Sequence, residues 1–131
     1  MIGLDTNVIL RLMVQDDPAQ LRGARKAVAS QCSEEEPGLI NRIVLVEVIW
    51  VLSRGYKYSR EEIVSAVEKL LQVKELAVQN PGEVWEALHL YRDSKVGFAD
   101  LYIAVLNREA GYSPTLTFDK KAARTDLFEL V

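Results

Sequence analysis

The stretch MIGLDTNVIL (residues 1–10) places a single carboxylate, Asp5, between two apolar segments. Residues 1–4 are mostly apolar and predict a short strand, and the apolar pattern resumes at residues 8–10. A carboxylate that is buried among apolar side chains costs free energy unless a partner compensates its charge. We therefore expect Asp5 either to cap a helix that follows the strand or to take part in a functional site.

Length and composition predict one globular domain over residues 1–131. The chain is 49% hydrophobic and 27% charged, which is typical of globular proteins rather than disordered ones. Because its formal net charge is −3, binding of a nucleic acid would require a local device rather than bulk positive charge. No membrane-spanning run or secretory signal is visible, and Cys32 is the only cysteine. We expect a cytoplasmic protein without disulfides or a cysteine-based zinc site.

Signals for strands and helices alternate along the chain. Helices are predicted over residues 15–30, 59–73, 80–94 and 98–113, and strands near residues 38–40, 75–79, 114–118 and 127–131. The helix boundaries rest on four cap signals: Asp17 with Pro18, Ser59 with Glu62, Asn80 with Pro81, and Gly111. Residues 42–54 are apolar on all sides, so periodicity leaves both a helix and a strand open. The alternation predicts an α/β domain in which helices cover both faces of a parallel sheet.

Four acidic residues stand where a carboxylate is unexpected. Asp5 and Asp119 directly follow predicted strands, and ligands collect at the carboxyl ends of parallel strands. Glu47 lies within the apolar run of residues 42–54, where helical spacing predicts no solvated face for it. Asp100 opens the last predicted helix among apolar neighbours. Each also has an ordinary explanation, namely helix capping for the first two, a buried protonated carboxyl for Glu47, and a favourable first-turn charge for Asp100.

Taken together, the four acids predict a metal site. Carboxylates that lie close together repel one another and cannot all stay ionised unless a cation neutralises them. Such a cluster supplies the hard oxygen ligands that Mg²⁺ and Mn²⁺ prefer, and in-line displacement at phosphorus is the reaction these sites most often perform. Three basic residues near the last acid are expected to contact a phosphate backbone: Lys120, Lys121 and Arg124.

Four segments, in this order and at these separations, resemble the PIN domain family: MIGLDTNVILRL, VLVEVIWVL, GFADLYIAVLNREAG and TLTFDKKAAR. The likeness is strongest to the VapC-type toxins of bacterial toxin and antitoxin pairs, and it extends over essentially the whole chain. The resemblance implies a three-layer α/β/α fold with a short parallel central sheet. It also implies an endoribonuclease that depends on Mg²⁺ or Mn²⁺, a homodimer, an RNA substrate and an inhibitory antitoxin partner.

The resemblance also assigns roles to individual residues by position. The catalytic and metal-binding acids it implies are Asp5, Glu47, Asp100 and Asp119. The supporting polar residues it implies are Thr6, Asn7 and Thr117. The chain departs from the family pattern at Gly97, where many relatives carry a further acid just before the Phe of the FAD motif. The sequence therefore leaves open whether one or two metal ions bind.

Two other functions are compatible with these residues. A small Mg²⁺-dependent phosphatase or phospho-acceptor domain would use Asp5 to accept a phosphoryl group. The segment DTN, however, lacks the second acid that such sites place two residues further on. A non-catalytic PIN-like binding module would keep the fold without the activity, and the presence of all four acids argues against it.

Overall fold

The computed structural model describes every residue from Met1 to Val131 and divides the chain into two compact units, Met1–Gln79 and Asn80–Val131. Each unit has its own helices and its own two-stranded parallel sheet. The α/β class expected from the alternating signals is therefore confirmed. The longest helix has 14 residues, and no helix combines the length and the apolar character that crossing a membrane requires.

The first unit contains four helices and two strands. The helices are α1 (Thr6–Met13), α2 (Pro18–Gln31), α3 (Arg42–Arg54) and α4 (Arg60–Leu71), and the strands are β1 (Gly38–Ile40) and β2 (Leu76–Val78). The two strands pair in parallel, with Gly38 opposite Leu76. The strand predicted at residues 1–4 is present as a single parallel bridge between Gly3 and Leu39.

Side-chain caps fix where two of these helices begin. The carboxylate of Asp17 accepts a hydrogen bond from the backbone N–H three residues further on (3.1 Å), and Pro18 occupies the first position of α2. At the start of α4, Glu62 N donates to Ser59 Oγ (3.1 Å) and Ser59 N donates to Glu62 Oε1 (3.0 Å). This reciprocal pair is the predicted capping box. Both predicted helix starts are confirmed.

The apolar segment whose type the sequence left open is the helix α3. Leu45, Val48 and Leu52 are fully buried on one side of it. Ile43 and Trp50 are 69% and 62% exposed. These exposed apolar residues remove the amphipathic pattern by which a helix is recognised in a sequence.

The second unit contains two helices, two strands and one short 3₁₀ turn. The helices are α5 (Pro81–Arg92) and α6 (Phe98–Glu109), the strands are β3 (Thr115–Thr117) and β4 (Phe128–Leu130), and the turn is Ala122–Arg124. The strands pair in parallel, with Thr115 opposite Phe128. The two helices pack together through the rings of Tyr91 and Phe98, which meet edge to face with centroids 6.0 Å apart.

The ends of α5 and α6 test two of the cap signals. Asn80 precedes α5, but its backbone is left-handed (φ 50°) and its side chain makes no capping hydrogen bond. The expected side-chain cap is therefore wrong for this helix, because a capping side chain ordinarily extends from a backbone in the β region. Pro81 does occupy the first helical position. Gly111 follows Ala110, the C-cap of α6, and has a φ of 94°, as predicted for a glycine at the C′ position.

Candidate functional site

Asp5 is the N-cap of α1 in the first unit. Its backbone is extended, and its Oδ1 accepts a hydrogen bond from Val8 N at 3.1 Å. The residue is exposed, and Oδ2 has no hydrogen bond or ion pair. Asp5 therefore caps the helix that follows the strand, which is one of the two roles expected from the sequence, but capping uses only one of its carboxylate oxygens. Capping holds the group in a fixed orientation and leaves the second oxygen available to a ligand.

Thr6 brings Glu47 to the same end of α1. Thr6 Oγ1 donates to Glu47 Oε1 at 3.1 Å, which links α1 to its packing neighbour α3. The other oxygen of Glu47 has no protein partner. Because Thr6 directly follows Asp5, two carboxylates lie at the N-terminus of one helix, where the helix dipole favours negative charge. Asn7 is exposed beside them, and its side chain makes no hydrogen bond.

The expectation that Glu47 has no solvated face is wrong. The side chain is exposed, as are Ile43 and Trp50, its neighbours one helical turn away on either side. The apolar neighbours of Glu47 do not bury it, because the buried stripe of α3 runs along the opposite side of the helix. No charged or polar residue of the protein is fully buried, and Asp5, Asp100 and Asp119 are likewise exposed. The four acids therefore carry no burial penalty.

Two further polar side chains follow strands of the first unit. Asn41 follows β1 and caps α3, its Oδ1 accepting a hydrogen bond from Val44 N at 2.9 Å. Gln79 follows β2, and its Oε1 accepts a hydrogen bond from Arg42 N at 3.1 Å. Neither belongs to the set predicted from the sequence. Asn41 shows the same signal as Asp5, a polar residue directly after a predicted strand, whereas Gln79 is the last residue of the strand predicted at residues 75–79 and follows only the observed β2.

Asp100 lies in the first turn of α6 in the second unit. It is exposed, and its side chain has no hydrogen bond or ion pair. Gly97 is the N-cap residue of this helix and has no side chain that could cap it. A Cβ atom added at Gly97 would lie 3.5 Å from Asp100 Oδ2. The carboxylate of Asp100 is therefore close to the open space that Gly97 leaves at the start of the helix.

Asp119 lies two residues after the end of β3 and three residues before the start of the 3₁₀ turn. Its Oδ1 accepts a hydrogen bond from Lys121 N (2.9 Å), and its own N–H donates to Thr117 Oγ1 (3.0 Å). Asp119 Oδ2 has no protein partner. Thr117 thus fixes the backbone of Asp119 by accepting a hydrogen bond, whereas Thr6 orients the carboxylate of Glu47 by donating one. The neighbouring basic residues, all exposed and without ion pairs, are Lys120, Lys121 and Arg124.

Comparison with known proteins gives two matches. The family model of the PIN domain matches residues 2–127. The chain belongs to the PIN domain family. A VapC ribonuclease of Aquifex aeolicus (strain VF5) is 24% identical over 118 residues, which cover 90% of this chain and 87% of that protein. The resemblance drawn from the four sequence segments is confirmed, and the family match extends over both units of the structure.

In this PIN domain, the predicted acids fall into two pairs. Asp5 and Glu47 belong to the first unit, and Asp100 and Asp119 belong to the second. Within neither unit does a group of three or more acidic, His or Cys side chains stand ready to hold a metal ion. What the structure brings together is thus the first pair, through Thr6.

The donor chemistry of these acids fits a hard divalent cation. Asp5, Glu47 and Asp119 each have one oxygen held by a protein hydrogen bond and one oxygen without a partner. Asp100 has both oxygens without a partner, and none of the four is paired with Lys, Arg or His. Carboxylate oxygens that are already oriented and not neutralised are suitable ligands for Mg²⁺ or Mn²⁺. The residues of this PIN domain are therefore compatible with the metal that the family resemblance implies.

Proposed function

We propose that the chain is a metal-dependent endoribonuclease of the VapC type, in which Asp5, Glu47, Asp100 and Asp119 hold Mg²⁺ or Mn²⁺. The observation that carries this proposal is that all four acids keep at least one uncommitted oxygen and none has a basic partner. The PIN family match and the VapC ribonuclease relative support RNA as the substrate. When bound, the metal would supply the positive charge that ionises a water molecule and neutralises the phosphodiester.

The residues around the acids orient them for this chemistry. The hydroxyl of Thr6 and the N–H of Val8 hold Glu47 and Asp5, so these carboxylates need little reorganisation on meeting a ligand. Thr117 has the same effect on Asp119 through its backbone. Since the acids are exposed, a large polyanionic substrate can reach them. Asn7 is proposed as a supporting polar group at the same end of α1.

Phosphate binding is proposed for the basic residues that follow β3. Lys120, Lys121 and Arg124 are exposed and make no ion pairs, so their charges are available to the RNA backbone. Segment 117–124 contains only one acid against these three cations. A locally basic segment of this kind explains how a chain with a net charge of −3 could bind a polyanion.

Cleavage of structured RNA by the purified protein tests the proposed activity. We expect cleavage at internal phosphodiesters in Mg²⁺ or Mn²⁺ and none in excess EDTA, with activity returning when the metal is replenished. Trapping of acid-labile phosphate on Asp5 would instead support a phospho-acceptor domain. Cleavage that persists in EDTA would contradict the metal-dependent mechanism.

A protein inhibitor is proposed to bind an apolar groove of the first unit. The groove has a volume of about 710 Å³ and lies among α1, α2 and α4, with these apolar residues in its lining: Leu12, Met13, Val28, Ala66, Leu70 and Val73. Its size and composition suit an amphipathic helix of an antitoxin. Ala66→Arg should abolish binding of an antitoxin, whereas the control Ala29→Arg, on the exposed side of α2, should not. Equal binding by both variants would exclude this groove.

A second copy of the chain is proposed to cover Ile43 and Trp50 on α3. Glu47 is rotated by about 40° or more around the helix axis from both residues, so the contact leaves it at an open edge, within reach of RNA. Ile43 and Trp50 expose large apolar surfaces there, which in a monomer would face water. Burial of these side chains in a symmetric contact would make the protein the homodimer that the family resemblance implies.

A further inference from the structure

Phe118 is an exposed aromatic ring next to a proposed catalytic acid. Its side chain is 82% exposed, more than that of any other large apolar residue except the terminal Met1. It stands between Thr117 and Asp119, at the carboxyl end of β3. A ring in this position loses contact with water only when a ligand covers it.

The backbone that carries this ring is held on both sides. Val131 N donates to Thr117 O at 2.9 Å, which ties the end of β3 to the residue after β4. On the other side, Asp119 N donates to Thr117 Oγ1, and Ala123 N donates to Asp119 O at 3.1 Å. Phe118 is therefore presented from an ordered position, so binding a ligand to the ring would cost little backbone entropy.

The chain that follows the ring is basic, and the exposed apolar side chain of Leu116 precedes it by two residues. Lys120, Lys121 and Arg124 follow within six residues, and all three are exposed and free of ion pairs. An aromatic ring combined with unpaired cations is the arrangement by which proteins hold single-stranded nucleic acid, since bases stack on the ring while phosphates meet the charges. Trp50, the exposed ring assigned to a protein contact, shares its side of α3 with the apolar Ile43, whereas three unpaired cations follow Phe118, which favours a polyanion as its ligand.

We propose that Phe118 stacks on an unpaired base of the RNA substrate and thereby directs the enzyme to single-stranded segments such as loops. This inference rests on the proposed nuclease function, because it places the base beside Asp119. Stacking requires a free base face, which a continuous duplex does not offer. Phe118 is accordingly a substrate-positioning residue that determines which RNA conformation is bound.

Binding measured in EDTA tests this role without any cleavage. The probes are a fluorescently labelled single-stranded RNA of about 12 nucleotides, within the usual range of site sizes, and the blunt duplex of the same sequence. For Phe118→Leu, we expect the Kd for the single strand to rise about tenfold, in the lower part of the range for loss of one stacked base. The Kd for the duplex should stay unchanged. Tyr112→Leu, which alters another aromatic ring of the same unit that is 75% exposed, is the matched control and should bind both probes normally.

A tryptophan at the same position gives an independent readout. Phe118→Trp should retain binding of the single strand, and its fluorescence should be quenched by that RNA more than the fluorescence of the wild type. Equal Kd values for wild type and Phe118→Leu would overturn the inference. An equal rise in the Kd for the single strand and for the duplex would also overturn it, as would the absence of added quenching in Phe118→Trp. A change of oligomeric state in Phe118→Leu would place the ring in a protein interface and would likewise overturn the inference.

The same data separate the inference from the proposed function. If the single-strand preference depends on Phe118 but no RNA is cut in Mn²⁺, the nuclease proposal fails while the stacking role stands. If RNA is cut normally and Phe118→Leu binds and cleaves loops as the wild type does, the stacking role fails while the nuclease proposal stands.

Discussion

Glu47→Gln separates a metal ligand from a merely structural acid. The amide keeps an oxygen that can accept the hydrogen bond from Thr6 Oγ1, so the link between α1 and α3 is retained. What is lost is the negative charge and with it one charged ligand for the metal. In EDTA we expect little change in Tm, because relief of repulsion from Asp5 opposes the loss of a favourable charge at the N-terminus of α1.

The expected difference appears when metal is added. A ligand present at a hundredfold excess over its Kd stabilises the native protein by about 2.7 kcal/mol, and a tenfold weaker site at the same concentration gives about 1.4 kcal/mol. A tenfold loss is a conservative figure for removal of a charged ligand, since even partners outside the coordination sphere cost 10- to 100-fold. For a chain of this length, about 4 °C accompanies each kcal/mol. Wild type should thus gain about 11 °C from Mn²⁺ and Glu47→Gln about 6 °C.

Thermal melts in EDTA and across a Mn²⁺ titration measure this difference. Glu35→Gln is the matched control, because it makes the same change in an exposed acid of the same unit that has no side-chain partner. The control should show the full wild-type shift. If Glu47→Gln gains as much as wild type and the control, Glu47 is not a ligand and the assignment of the first acid pair is refuted.

Three shorter predictions test other parts of the structure. Hydrogen bonds from Ser59, above all from its backbone N–H, lower the pKa of Glu62. The stability that these bonds add is therefore present at neutral pH and is lost when the carboxylate is protonated. The Tm difference between wild type and Glu62→Gln should decline as the pH falls below about 4.3. Trp50→Glu should convert a homodimer to monomer in sedimentation velocity, and a wild type that is itself monomeric at micromolar concentration would refute the proposed dimer. Gly97→Asp adds a carboxylate beside Asp100 and should lower the Mn²⁺ concentration for half-maximal cleavage several-fold. The control Gly82→Asp should leave that concentration unchanged. Equal Mn²⁺ concentrations for the two variants would count against a metal beside Asp100.

Local signals predicted most of the elements because they act over a few residues. The capping box of Ser59 and Glu62 and the left-handed glycine at position 111 each depend on their own backbone, and both were correct. The type of α3 could not be read in the same way, since Ile43 and Trp50 place apolar side chains on its exposed side. The side-chain cap expected of Asn80 is absent because the backbone of this residue is left-handed (φ 50°), which local sequence does not reveal.

The candidate site shows the same division between local and long-range information. The identities of the four acids and of Thr6 came from the sequence, as did the capping alternative that Asp5 fulfils. The hydrogen bond from Thr6 to Glu47 joins residues that are 41 positions apart, so no local pattern contains it. The exposure of Glu47 depends on which side of α3 packs inward, a property of the folded unit. Gln79 is absent from the predicted set because the strand predicted at residues 75–79 includes it, whereas the observed β2 ends one residue earlier.

Single-turnover cleavage of RNA by Asp5→Asn in Mn²⁺ is the most direct test of the proposed catalytic metal site. This variant keeps the Oδ1 acceptor for Val8 N and removes the charge that the proposed metal requires. Asp126→Asn, a change of the same kind in an exposed residue without a side-chain partner, is the control. We expect a rate reduced at least a hundredfold for Asp5→Asn, on the order of 3 kcal/mol in activation free energy, and an unchanged rate for the control. Cleavage at the wild-type rate by a folded Asp5→Asn protein would contradict the proposal that these carboxylates form a catalytic metal site.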